Sequence, residues 1–277
     1  MMKKDIEKIK EEEICYPQDA VMEYPTWECF KDIIEEAKEN DFPSKHFGTE
    51  PLSNGNKLIS VTATQEIGNK IKGQYVGIDV PVLLKSEKGG NGNTIIIVGE
   101  SPLRDKKVFN TPNDILLGTP YAIHQKFNCP SQCNVYKKIF SDLLGNNYSV
   151  YLTDIIKIWW EGKKLNVDKS DEDLFLQEIE ALKEIGALKG NPVIVAWGKR
   201  AKEKLEKMNF SFIQLPHPSQ QNWNNWKLRI FEKAVYHKGV DYAKKLYPDE
   251  KNSTTSEVIV ANEAVKEILE SDIVKAL

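Results

Sequence analysis

The chain lacks any apolar run near the ~18 residues that a membrane-spanning helix requires. Its opening stretch, "MMKKDIEKIKEEE", has lysines with no apolar segment behind them, so no secretory leader is expected. Cysteine is scarce: four in 277 residues, at Cys15, Cys29, Cys129 and Cys133, which fits reduced thiols better than a disulfide framework. Cys129 and Cys133 could form half of a metal or cluster site, but Cys15 and Cys29 lie far off with thirteen residues between them, a poor fit to usual ligand spacings. No metal, iron–sulfur cluster or other cofactor is therefore expected. No charge of one sign dominates either: a formal charge of −3 gives no global polyelectrolyte signal, so any surface for nucleic acid must be a local patch. These absences lead us to expect a soluble, cytoplasmic protein with no membrane association.

What is present is the pattern of a globular α/β protein long enough to bury a substantial core. Residues 1–90 read as an N-terminal extension packed on that core. It begins with Lys- and Glu-rich helical segments that carry Trp27, Phe30, Ile33 and Ile34 at helical spacing, and continues through an irregular stretch around a possible strand, "YVGIDVPVLL". The character changes at residue 91. "TIIIVGES" (94–101), "SVYLTDIIKIW" (149–159), "PVIVAWGK" (192–199) and "FSFIQLPHPS" (210–219) each show a β-branched or aliphatic run ending in small or polar residues. Between them "VYKKIFSDLL", "DEDLFLQEIEALKEI" and "KRAKEKLEKM" show amphipathic helical spacing. This alternation predicts a mainly parallel sheet covered on both faces over 91–250. Residues 251–277 read as a C-terminal linker and helix.

In such sheets ligands bind beyond the carboxyl ends of the strands, near the point where strand order reverses. The four strands would deliver Glu100, Asp154, Gly198 and His217 to that edge. Gly99 permits a sharp turn directly after a buried strand, and Pro102 stiffens the loop that presents Glu100 as an acid or base. His217 lies between Pro216 and Pro218, which restrict the backbone and hold the imidazole on a stiff loop. Such rigidity suits a donor that must meet charge developing only in a transition state.

Together these pieces resemble the uracil-DNA glycosylase superfamily. "VGESPLRD" looks like its first motif in the form used by the iron–sulfur branch, and "VYLTDIIKIW" resembles the middle strand motif that usually presents Asn and Lys. "VIVAWGKRAKEKL" is similar to the strand, glycine and helix before the last motif, and "LPHPS" matches the histidine-proline-serine motif. The resemblance covers roughly residues 94 to 235, with the motifs in the family's order. It implies a three-layer α/β/α fold with a central mainly parallel sheet and an N-terminal helical extension. It also implies hydrolysis of the N-glycosidic bond of a nucleotide flipped out of DNA. His217 would donate to the departing base at O2, and Glu100 would orient or deprotonate water or stabilise the oxocarbenium ion. Ser101 and Ser219 would hold phosphates. The cluster is not carried over, because these cysteines do not reproduce the branch's spacing.

Asp154 stands where the family usually has Asn. An amide both donates and accepts, which suits O4 and N3–H of uracil, whereas an ionised carboxylate only accepts. It suits the exocyclic amino group of cytosine, while uracil O4 would face a buried negative charge. The expected target is a modified cytosine, possible sources being modified phage genomes, which would make the activity antiviral defence. The alternative is uracil excision in DNA repair, with Asp154 a strand-end cap. A second alternative is a DNA-binding protein of the same fold without catalysis.

Phe109 and Tyr121 are the candidates for stacking on the flipped base. Gln220, Gln221 and Trp223 stand where the family often places an apolar wedge; they could fill the vacated stack, though Trp223 and Trp226 could equally be packing residues. Lys157, Lys163, Lys164, Lys199 and Arg200 could form the phosphate-binding patch. No lysine is placed as a Schiff-base nucleophile, so base removal without strand cleavage is expected, from a monomer whose partner is DNA carrying a non-standard base.

Overall fold

Short β-branched runs bounded by Gly, Pro and polar residues become strands, and the amphipathic segments between them become helices. The computed structural model describes residues 20–23, 25, 59–62, 76–86, 93–102, 114–122, 134–160, 169–218, 222, 224–230 and 253–275. The strands are β1 (Ala20–Glu23), β2 (Ile59–Thr62), β3 (Val76–Asp79), β4 (Val82–Ser86), β5 (Thr94–Gly99), β6 (Asp114–Gly118), β7 (Ser149–Asp154), β8 (Ile158–Trp160), β9 (Val193–Trp197) and β10 (Ile213–Leu215). The helices are α1 (Asn134–Gly145), α2 (Lys169–Glu184), α3 (Lys199–Lys207), α4 (Ser253–Leu269) and the short α5 (Asp272–Lys275). Among the described residues no helix is long and apolar enough to cross a membrane.

The fold is mixed α/β around a mostly parallel six-stranded sheet of order β1-β4-β7-β5-β9-β10. β7, β5, β9 and β10 run parallel, while β4 joins β7 and β1 joins β4 antiparallel. Residues from the first 90 thus supply two strands of this sheet. A second sheet has the order β2-β6-β3-β8.

β5 is buried along its whole length because both sheet faces are covered. Ile95 and Ile97, with Val150, Leu152, Val193 and Val195, pack on the side of α1 and α4. Ile96 and Val98, with Tyr151, Ile194 and Ala196, pack on the side of α2 and α3. Each aliphatic side chain buried this fully contributes roughly 1.5–3 kcal/mol. Trp226 is fully buried in the first of these cores, so its role is packing. Nearby, Arg229 donates to both carboxylate oxygens of Glu267 on α4, from Nε to Oε1 at 2.7 Å and from Nη2 to Oε2 at 2.5 Å. α4 begins at Ser253, inside the polar stretch "PDEKNSTTS" that reads as linker.

Two segments that read as single strands are divided between the sheets. "YVGIDVPVLL" breaks at Val80 and Pro81, where the proline has no N–H for a ladder, and gives β3 to one sheet and β4 to the other. "SVYLTDIIKIW" breaks after Asp154. There the N–H groups of Ile155 and Ile156 donate to the carbonyls of Gly99 and Glu100, both at 3.0 Å, before β8 pairs with β3.

Along the parallel strands, the connection from β5 to β7 runs one way and that from β7 to β9 recrosses β5. The reversal point lies between β5 and β9, and the crevice at their carboxyl ends is the expected ligand position.

Candidate active site at the strand ends

Glu100 directly follows β5, and Gly198 and α3 directly follow β9. Gly198 has φ +97, a value that L side chains rarely adopt, and this lets the chain turn from β9 into α3. Arg200 in the first turn of α3 then donates from Nη1 to Oε1 of Glu100. This ion pair spans the reversal point. Both side chains are about two-fifths exposed, at 39% for Arg200 and 40% for Glu100.

Asp154 ends β7, opposite Gly99 in the register of β5 and β7. Its residue is only 7% exposed. A Cβ built on Gly99 would lie 2.6 Å from the Tyr121 hydroxyl and nearer still to Asp154 Oδ1. Glycine is therefore required here by close approach: its missing side chain leaves the space where the carboxylate and the phenol meet.

Tyr121 reaches this point from the 3₁₀ turn Pro120–Ala122, with its backbone in the left-handed region at φ 58. For a bulky residue that conformation costs on the order of 1–3 kcal/mol and is maintained by its surroundings. The hydroxyl is buried and has no hydrogen-bond partner among the described residues. Burial, and then the charge of Asp154, raise the phenol well above its ordinary range, so it stays protonated.

His217 follows β10 by two residues, and β10 is tied to the neighbouring strand end by Gly198 N–H donating to the Leu215 carbonyl at 3.3 Å. Its ring belongs to an aromatic cluster: its centroid lies 5.8 Å from Tyr136, 6.1 Å from Tyr121 and 6.1 Å from Trp197. Tyr121 in turn lies 4.9 Å from Tyr136 and 5.1 Å from Trp197. Burial lowers the His217 imidazole to about 4, so it is neutral at physiological pH. The Tyr136 hydroxyl approaches Nδ1 at 3.5 Å. A proton donated from that phenol would leave the imidazole hydrogen on Nε2.

Tyr121 thus joins Asp154 and Gly99 on one side to His217 on the other, and Glu100 stands next to Gly99 in the chain. The grouping combines a buried acceptor, a protonated phenol, a neutral imidazole and a carboxylate held by a guanidinium. Among the described residues no cluster of His, Cys, Asp and Glu could hold a metal ion.

Lys157, expected on a DNA-facing surface, is located elsewhere. It is 2% exposed, with Nζ 2.6 Å from Glu178 Oε1 and donating to Thr153 Oγ1 at 2.7 Å, and it lies 5.1 Å from the Phe175 ring centroid. Its ammonium is committed to the α2 side of the sheet and is not available to a phosphate. Lys199 opens α3 with its side chain 86% exposed, 3.5 Å from Glu203. Ser101 is part-buried beside Glu100. Phe109, Lys163, Lys164, Ser219, Gln220, Gln221, Trp223 and the four cysteines lie outside the described residues.

Tyr136 and Trp197 were not singled out in the sequence. Tyr136 falls on the inward stripe of α1 with Ile139, Phe140 and Leu143, a spacing that signals core but not which ring a neighbouring loop will bring to it. Comparison with known proteins adds no relative: no family model, no curated protein and no solved structure matches the chain.

Proposed function

We propose that the chain is a monofunctional DNA glycosylase with the three-layer α/β/α architecture of the uracil-DNA glycosylase superfamily. It would remove a modified cytosine, such as one from phage DNA, in a defence role. The observation that carries this reading is the grouping of Asp154, Tyr121 and His217, with Glu100 adjacent, at the carboxyl ends of neighbouring parallel strands.

The target nucleotide flips out of the duplex, so its base can present its Watson–Crick edge to the site. Asp154 accepts from the exocyclic amino group. As the bond between C1′ and N1 breaks, its electrons pass to the base, and the neutral His217 stabilises the charge at O2 by donating a hydrogen bond. Donors placed in this way contribute roughly 3 kcal/mol in other enzymes. Arg200 engages Oε1 of Glu100, which leaves Oε2 to orient a water. The water oxygen bonds to C1′ and its proton passes to the carboxylate or to solvent, giving an abasic site.

The test is incubation with DNAs of different pyrimidine content, followed by mass spectrometry of released bases. A released modified cytosine supports the reading; Glu100→Gln should abolish release and His217→Ala should lower it about 100-fold, while DNA binding persists. Release of uracil alone would make this a uracil repair enzyme. DNA binding without release of any base would make it a binding protein.

A further inference from the structure

The buried hydroxyl of Tyr121 has no role in the chemistry above. A buried polar atom without a partner is rare enough to require an explanation, and a ligand atom is one of the few available. Its position is specific: it and Asp154 Oδ1 converge on the space left by Gly99, while its ring lies 6.1 Å from the ring of His217. The left-handed backbone at Tyr121 shows that the phenol is held there despite a local cost.

We infer that the Tyr121 hydroxyl is a specificity-determining donor that, between Asp154 and His217, reads N3 of a cytosine-type base. Cytosine presents an amino donor at N4 and acceptors at N3 and O2, so its complement is an acceptor followed by two donors. Asp154 supplies the acceptor, and Tyr121 and His217 supply the two donors. Uracil presents an acceptor at O4 and a donor at N3, so it meets a carboxylate where it needs a donor. A hydroxyl can rotate and accept, so Tyr121 discriminates less sharply than Asp154. Its main effect is to hold N3 when N3 carries a lone pair. Burial, and then the Asp154 charge, support this by holding the phenol in its protonated form well above the usual tyrosine range. Substituents at C5 leave all three edge atoms untouched, so this edge set accepts 5-substituted cytosines.

The inference rests on the glycosylase reading only in that a base reaches this site, so it is tested without bond cleavage. Binding of free cytosine, 5-methylcytosine, uracil and 3-deazacytosine, which has a carbon at position 3, is measured by calorimetry on the full chain. The unaltered protein should bind cytosine and 5-methylcytosine at least tenfold more tightly than uracil, and 3-deazacytosine roughly tenfold more weakly than cytosine, the effect of one lost hydrogen bond. Tyr121→Phe should weaken cytosine roughly tenfold and should no longer distinguish it from 3-deazacytosine. Asp154→Asn should shift the preference towards uracil. Equal binding of cytosine and 3-deazacytosine by the unaltered protein overturns the inference whether or not the variant folds, and so does the absence of any base binding. Selective base binding without release of any base from DNA would leave Tyr121 as the reader and defeat the glycosylase assignment. Base release without this selectivity would do the reverse.

Discussion

Arg200 donates to Glu100 across the gap between the carboxyl ends of β9 and β5, linking the first turn of one helix to the loop after the neighbouring strand. Both side chains are about two-fifths exposed, so solvent screens the pair and its contribution to stability is small. Its effect lies in where it holds the carboxylate. Arg200→Ala should change stability by less than about 1 kcal/mol. Base release should nevertheless fall roughly tenfold, the cost of about 1.4 kcal/mol of lost positioning. Thermal melting and single-turnover release separate the two effects, and a melting point that drops in parallel with activity would refute the positioning role.

Gly99 offers a steric test of the same site. Gly99→Ala puts a methyl group where Asp154 Oδ1 and the Tyr121 hydroxyl converge, and overpacking of this kind costs about 1–3 kcal/mol. Urea denaturation should show that loss. Base selectivity should fall more than DNA affinity, because the displaced atoms are those proposed to read the base.

The buried Lys157–Glu178 pair predicts a larger effect away from the site. Burial raises the Glu178 carboxyl above 4.5, and the Lys157 ammonium opposes that rise. Lys157→Met leaves a buried carboxylate uncompensated and should cost about 3–5 kcal/mol, with much of it restored by adding Glu178→Leu. Without Lys157 the carboxyl rises further, so the folded state holds its proton more firmly than the unfolded state. The single variant should therefore gain stability as pH falls from neutral through the raised value towards 4.5. Chemical denaturation across that window checks the sign.

His217 titrates at about 4 because it is buried, whereas an unfolded imidazole titrates near 6.5. The unfolded chain takes up the proton more readily, so the contribution of this group to stability is present above 6.5 and is lost as pH falls through about 4. Base release should show no inflection from this group near 6.5 and an acid limb near 4. NMR of the imidazole locates the titration, and His217→Ala should lower release about 100-fold across the plateau.

The parallel sheet was legible because its strands are compact β-branched runs, such as Ile95 to Val98 and Val193 to Val195, each closed by a small residue. The break after Asp154 was not. Ile155, Ile156, Ile158 and Trp159 continue the apolar run, and the change of direction depends on hydrogen bonds to Gly99 and Glu100, more than fifty residues earlier. Lys157 was misplaced for a related reason, since its partner lies on α2. A local signal existed: Glu178 sits on the inward stripe with Phe175, Ile179 and Leu182, where an acid calls for a buried cation. The sequence offers Tyr121, after Phe109, as a ring to stack on the flipped base; the approach of its hydroxyl to Gly99 is a tertiary relationship that no local pattern encodes.

The arrangement of strands also sets when this site can exist. β5 has only later neighbours: β7 on one side and β9 on the other, with β9 starting more than ninety residues after β5 ends. At cellular translation rates, roughly 5–20 s separate the synthesis of β5 from that of β9. Until β9 is made the fully buried strand β5 has an open flank, and Glu100 has no Arg200 to meet. A nascent chain stalled in this window would expose an unpaired strand edge, the kind of surface that invites pairing with other chains.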